Sequence, residues 1–319
     1  MCAVILSVLA SIPSPSSGTL SIGPLRLTAY GLMIALGILA AVRLAGSRLE
    51  RSGEGTRDDM ASIAMWGVVG GVIGARLYHV ATDWSSFSHD LGRIPLIWKG
   101  GLGIPGGLVG GVIAGLVAAR RRGVSRPELL TVVAPAIPLA QAIGRWGNWW
   151  NQELFGRATR LPWALQIAPS KLPPGYAPGT TFHPTFLYES LWNVALCVLL
   201  LVIDRRLPLR PGRLFAVYLA GYGVGRFWIE GLRIDTAHVI GPFRLNQWVA
   251  LIATVAALGY LVVDRVVNGA LAREVADPAI LEQTSPAVRP AVMGLGRSVV
   301  AVEPPEPPEA RPGDDDAQQ

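Results

Sequence analysis

Of this chain's 319 residues, 51% are hydrophobic and only 16% charged. Soluble domains carry about 25% charged residues, so the composition excludes an ordinary soluble domain. The formal charge of +6 would suit nucleic acid, but the arginines stand in short clusters between apolar blocks, the pattern of membrane topology, and no nucleic-acid partner is expected.

In chain order, the stretch 3–10 is apolar without a preceding positive region and does not read as a cleavable signal. A transmembrane helix needs roughly 20 apolar residues. Seven segments approach that, at 29–48, 61–80, 102–119, 129–143, 186–203, 214–229 and 248–267. The fourth is short and carries Pro135 and Pro138, which predicts a kink satisfied by neighbouring helices. One set of loops holds Arg48, Arg51 and Arg57, then Arg120, Arg121, Arg122 and Arg126, then Arg205, Arg206, Arg210 and Arg213, with Arg265 ending the last span. The positive-inside rule places these loops and the C-terminus in the cytoplasm and the N-terminus outside. The longest opposite segment, 149–183, is rich in Pro and Gly and predicts a small extracytoplasmic cap.

The whole reads as an all-α, polytopic transmembrane helical bundle of about seven spans. Residues 1–270 form the membrane-embedded domain, and 271–319 a disordered cytoplasmic tail, rich in Pro, Glu and Asp towards its end. Gly103, Gly107, Gly111 and Gly115 recur every four residues, and Gly67 with Gly71, Gly70 with Gly74 and Gly221 with Gly225 repeat the spacing. Small residues so placed let helix backbones approach closely in lipid. The two cysteines, Cys2 and Cys197, match no metal spacing or redox pair. No metal and no cofactor is expected.

Polar residues near span ends carry the functional signal, because an arginine at the bilayer centre costs roughly 2.5–3.5 kcal/mol. The first cluster runs from Gly144 to Gly156 and crowds Arg145, Asn148, Asn151 and Glu153 at the outer end of the fourth span. Its tryptophans, Trp146, Trp149 and Trp150, are natural interface anchors; its Arg and Asn residues are not. In the second, Tyr222, Arg226, Glu230 and Arg233 fall within about 80° of one helix face at 3.6 residues per turn. Arg226 and Glu230 can pair at i, i+4, leaving one arginine of the stripe free for an anion. The third, His183 to Glu189, enters the fifth span, where a Pro at the first helical turn is also a plain start signal. Tyr30 heads the first span, and Arg76, near the end of the second, could snorkel to the interface. Arginines near the outer leaflet suit bidentate phosphate contact, and a phospholipid headgroup is the anion at that depth.

These motifs resemble the signature of the prolipoprotein diacylglyceryl transferase family. Gly144, Arg145, Gly147, Asn148, Asn151, Glu153 and Gly156 carry the resemblance most specifically. Ser21 to Pro24 with Tyr30 to Met33, Gly74 to Arg76, His183 to Glu189, and Gly221 to Arg233 follow it in the same order, over roughly residues 21–265. The resemblance implies transfer of the sn-1,2-diacylglyceryl group of phosphatidylglycerol to the lipobox cysteine of a preprolipoprotein signal peptide. A thioether forms and glycerol phosphate leaves, the first step of bacterial lipoprotein maturation in the cytoplasmic membrane. The implied catalytic residues are Arg145, Arg226, Asn148, Glu230 and Tyr30. The implied substrate-binding residues are Arg145, Asn148, Glu153, Gly156, Arg76, Tyr222, Arg233 and His183. Arg145 and Arg226 would clamp the phosphate, Asn148 would donate to it, Glu230 would orient Arg226, and Gly156 would permit close backbone approach. The nucleophile is the substrate's own thiol.

Family members often carry a histidine in a Gly-Gly-x-x-x-His-Gly-Gly segment. Here that segment runs from Gly100 to Gly107 with Pro105 in the histidine's place, so a base role for the histidine does not carry over. The expectation is electrostatic activation by the arginines. The competing class is a transporter or channel for an anionic lipid or solute, which Gly-rich, broken helices would also suit.

Overall fold

The computed structural model describes residues 11–275, apart from 16, 23–24, 89, 98–99 and 208. Cys2, the stretch 3–10 and the tail beyond Val275 lie outside the described residues. The expected domain boundary at 270 falls inside the last helix, which runs on to Val275. The chain forms one compact unit up to Leu261.

A short antiparallel pair, β1 (Thr19–Ile22) and β2 (Leu25–Thr28), leads into α1 (Ala29–Ser52). The Thr28 hydroxyl caps this helix by accepting from the Gly31 N–H, and the chain leaves it through Gly53 at φ 76°. A capping box between Thr56 and Asp59 starts α2 (Arg57–Thr82). The third helix, α3 (Ile104–Arg121), starts on Pro105. Helices α4 (Arg126–Val133) and α5 (Ala136–Asn151) are one run bent by 42° beside Pro135, the kink that the prolines predict. Then come β3 (Leu165–Gln166), β4 (Thr181–Phe182), α6 (Thr185–Arg206), α7 (Arg213–Glu230), β5 (Val239–Ile240), β6 (Phe243–Arg244) and α8 (Leu245–Val275).

Among the described residues five helices, α1, α2, α3, α6 and α8, are long and apolar enough to cross a membrane, and the bent α4–α5 pair brings the number to six. The sixth expected span, 214–229, is helical as α7, but Arg213, Arg226 and Glu230 stand among its 18 residues. Large apolar side chains point outward, with Ile104 85%, Leu39 65% and Val255 61% exposed. That is the inverse of a soluble domain.

The closest backbone approach is between α2 and α3. A Cβ on Gly106 would lie 2.2 Å from the Gly74 carbonyl oxygen, and one on Gly110 would lie 2.3 Å from that of Gly70. The expected small-residue packing is present, with its register corrected. Gly106 and Gly110 make the tightest contacts, while Gly115 of the expected stripe has nothing within 4 Å. Gly221 and Gly225 act differently, receiving the side chains of Leu196 and Trp192.

Contacts sort the helix ends. At one end Arg48 of α1 pairs with Asp204 of α6 at 2.9 Å and donates to the Thr131 carbonyl of α4. Arg122, just past α3, reaches Asp59 and Ser62 of α2 at the same end. At the other end Tyr30 of α1 packs on Gly147 of α5, and the N-terminus of α6 meets the C-termini of α5 and α7. The 152–183 segment folds over this second end around a buried core of Phe155, Leu165, Ile167, Phe182 and Phe186. The expected cap is therefore a packed layer, built from the β3–β4 pair with Ile12 paired to Leu165 and Ala158 to Phe182.

Candidate active site

The residues at the capped end form one connected polar network. Arg145, near the end of α5, places Nε 2.5 Å from Oε2 of Glu189, in the second turn of α6. Arg226 of α7 approaches the other oxygen, Oε1, at 3.4 Å. Its Nη2 lies 2.8 Å from Glu230 Oε2, the i, i+4 pair expected from the helix spacing. Glu230 is fully buried and also meets Arg233 at 3.4 Å, Arg244 at 3.3 Å and the Asn246 amide at 3.3 Å. Asp235 closes the network on Arg233 at 2.7 Å and on Arg244 at 3.2 Å. Burial alone would raise the Asp235 carboxyl, but the hydrogen bond from Arg233 and the charges of Arg233 and Arg244 hold it below its ordinary value.

The arm through α5 continues by hydrogen bonds. Arg145 Nη1 donates to Asn148 Oδ1 at 3.3 Å, and Asn148 Nδ2 donates to Glu153 Oε1 at 2.8 Å. Asn151 donates to the same oxygen at 3.2 Å. Glu153 can face back onto the helix because the chain turns through left-handed residues on either side of it, Gln152 at φ 55° and Leu154 at φ 61°. Such conformations cost about 1–3 kcal/mol each. Gln152 is held there by accepting from the Ala168 N–H and donating to the Pro15 carbonyl, and the Leu154 carbonyl accepts from the Thr185 hydroxyl.

Of the residues predicted from sequence, the structure joins Arg145, Asn148, Glu153, Arg226, Glu230 and Arg233. Tyr30 lies against Gly147, where a Cβ would come within 2.5 Å of its ring, beside Asn148. Tyr222 sits one turn before Arg226 and stacks on Tyr218 at 5.9 Å. Gly156 permits close backbone approach, but to its own chain. It pairs with Arg233, donates to the His183 carbonyl, and leaves no room for a Cβ between His183 and Leu232. His183 belongs to the cap. Its Nδ1 lies 3.1 Å from the Tyr188 hydroxyl, and burial, then the Arg157 charge, push its imidazole below the ordinary value.

Arg76 stands apart. Its guanidinium donates to the carbonyls of Ile94, Arg93, Gly100 and Gly101 and lies 5.1 Å from the Phe87 ring centroid. It pins the loop before α3 and has no ion pair to the network among the described residues. Arg233 is not the free arginine expected of the stripe, since Glu230 and Asp235 both engage it.

Sequence reasoning marked the cluster ending in Glu189 without giving that residue a role, and missed Asp235, Arg244 and Asn246. Glu189 had a signal of its own: an ionisable side chain at the head of an apolar span is a functional candidate by default. Arg244 had none, because a hairpin carries it to Glu230. No group of three or more His, Cys, Asp or Glu residues could hold a metal ion among the described residues. The network can bind an anion: Arg145 of α5 and Arg226 of α7 converge from different helices on the one carboxylate of Glu189.

A family model described as prolipoprotein diacylglyceryl transferase matches residues 17–263. Among curated relatives, phosphatidylglycerol--prolipoprotein diacylglyceryl transferase 1 of Streptomyces coelicolor is 49% identical over 259 residues, which span 80% of this chain and 74% of that protein. The correspondingly named protein of Frankia alni is 48% identical over 265 residues, 81% of this chain and 68% of its own. That of Mycobacteroides abscessus is 42% identical over 269 residues, 79% of this chain and 78% of its own.

Proposed function

This chain belongs to the prolipoprotein diacylglyceryl transferase family, and from that premise we propose how its polar network serves the reaction. The protein is a multi-pass membrane enzyme that transfers the diacylglyceryl group from phosphatidylglycerol to prolipoprotein, the first step of lipoprotein maturation. The transporter alternative falls with the family.

The observation that carries the mechanistic reading is the convergence of two guanidiniums from different helices, Arg145 and Arg226, on the one carboxylate of Glu189. A phosphodiester carries the same single negative charge and suits the same two donors. Arg145 and Arg226 form the clamp, because guanidinium forks match phosphate oxygens bidentately. They meet the charge that grows on the leaving phosphate, where preorganised donors act most strongly. Asn148, held by Glu153, donates to the same phosphate or its glycerol, and Glu230 orients Arg226. Tyr30, Tyr222, Arg233 and His183 line the approach, while Arg76 acts by holding the loop before α3.

The acceptor is the thiol of the lipobox cysteine in a signal peptide. Sulfur attacks the glyceryl carbon, a thioether forms, and glycerol phosphate leaves. The enzyme sits in the bacterial cytoplasmic membrane, with the arginine-rich helix ends inside, and the N-terminus and the cap outside. Purified protein given phosphatidylglycerol labelled in its diacylglyceryl group and a lipobox peptide should yield labelled thioether. No transfer, or transfer to a Cys→Ser peptide at the same rate, would refute the reading.

A further inference from the structure

We propose that Glu189 is the base that takes the substrate thiol's proton, and that phosphatidylglycerol frees it for this task by taking over the two guanidiniums that hold it. The proposal rests on the phosphate-clamp reading above.

A base has to be sought among the network's own residues. The segment from Gly100 to Gly107, with Pro105 in it, carries no titratable side chain. Activation by arginine charge alone is weaker than the count of arginines suggests, because Glu189, Glu230, Asp235 and the hydrogen-bonded Glu153 balance the four guanidiniums. The other acceptors are committed elsewhere. Glu230 meets Arg226, Arg233, Arg244 and Asn246, so it stays locked if Arg226 turns to a phosphate. Glu153 takes the amides of Asn148 and Asn151. His183, at the end of the cap, is bonded to Tyr188 of α6 and has no side-chain bond to the network among the described residues.

Glu189 differs in one respect: its ion pairs are to the two clamp arginines and to no other residue among those described. Arg145 engages Oε2 and Arg226 engages Oε1. The charged groups facing it are Arg145 from α5, Arg226 and Glu230 from α7, and Arg233 beyond α7. From its own helix, the Asn193 amide donates to its backbone carbonyl. A phosphodiester has the same single charge and the same preference for guanidinium N–H groups. When it takes those donors, Glu189 is left as a carboxylate 5% exposed, with open lone pairs. It lies beside the phosphate, within reach of a sulfur attacking the adjoining carbon.

The step balances. The thiol proton passes to a Glu189 oxygen, sulfur bonds to the terminal glyceryl carbon, and that carbon's bond to the phosphate oxygen breaks with its electron pair. Glycerol phosphate takes up the extra negative charge and then the proton. Glu189, ionised again, returns to Arg145 and Arg226 and displaces the product. In the empty enzyme both oxygens of the base are engaged by the clamp.

The test is Glu189→Gln in nanodiscs containing phosphatidylglycerol, with lipid retention and transfer to a lipobox peptide measured separately. Phosphatidylglycerol should be retained. Transfer at pH 7 should fall by about 10²-fold or more, the usual worth of a general base. The variant's rate should then climb about tenfold per pH unit towards the thiol's own pKa of about 8.5, while the wild type changes less and the gap narrows. A wild-type rate, a loss equal at every pH, or loss of the lipid from the variant would overturn the proposal. If Glu189→Gln does not fold, Glu189→Asp decides. It should keep the shallow wild-type pH profile at a lower rate, and a tenfold-per-unit climb would overturn the proposal. A wild type that transfers nothing would instead refute the functional reading.

Discussion

Arg244 reaches from the β5–β6 hairpin back to Glu230 at the end of α7. Its Nε lies 3.3 Å from Oε1, and its Nη1 donates to the Glu230 backbone carbonyl at 3.2 Å. Glu230 thereby anchors three guanidiniums on one fully buried carboxylate. Glu230→Gln leaves three guanidiniums to share Glu189 and Asp235, one carboxylate fewer, and breaking a buried pair in this way costs about 3–5 kcal/mol. The variant should unfold at markedly lower temperature in detergent and lose transfer. An unchanged melting temperature would show that the network is not a stabilising element.

The clamp separates arginine from lysine. Arg145→Lys or Arg226→Lys keeps a charge but loses the planar fork. Removing one such donor typically costs about 10²–10³ in kcat. Each variant should insert and melt near the wild type, with transfer reduced to that degree. Near wild-type turnover in Arg145→Lys would take that residue out of the clamp.

His183→Gln should keep substantial transfer, within about fivefold of the wild type, the equivalent of one hydrogen bond. Burial and Arg157 hold the His183 imidazole below its ordinary value, so the folded protein binds the proton less readily than the unfolded chain. Its contribution is present above the unfolded value of about 6.5 and is lost as pH falls below that. Melting curves should show the wild type losing stability on mild acidification and His183→Gln losing less. Abolished transfer with phosphatidylglycerol still bound would make His183 the base instead of Glu189.

Gly110→Leu should separate α2 from α3, because even a Cβ there would lie 2.3 Å from the Gly70 carbonyl oxygen. Overpacking typically costs about 1–3 kcal/mol, and here the obstacle is backbone. Gly115→Leu, with nothing within 4 Å, should melt like the wild type. Equal melting temperatures for the two variants would show that the glycine contact does not limit stability.

Ending the chain after Val275 should leave transfer intact in vitro. The family match stops at residue 263, and the segment 303–319 is Pro- and acid-rich with no apolar face. A large loss of activity at normal expression would mean that the tail takes part in the reaction.

Much of this protein is legible in one dimension because a bilayer imposes one-dimensional constraints. Apolar runs of span length mark the helices. Pro135 marks the bend, and the arginine clusters mark a shared set of helix ends. Arg226 and Glu230 pair within one helix, so their spacing already reveals the contact, as the signature from Gly144 to Gly156 reveals Arg145, Asn148 and Glu153. What only the tertiary structure decided is who neutralises whom. Glu189 meets Arg145 and Arg226 from a third helix, and Arg244 meets Glu230 from a hairpin. Gly106 and Gly110, not the evenly spaced Gly115, touch the neighbouring helix, and Arg76 turns to loop carbonyls. Helical periodicity specifies which face a side chain occupies. Its partner across the bundle depends on the rotation and crossing of helices far apart in the chain, which packing alone sets.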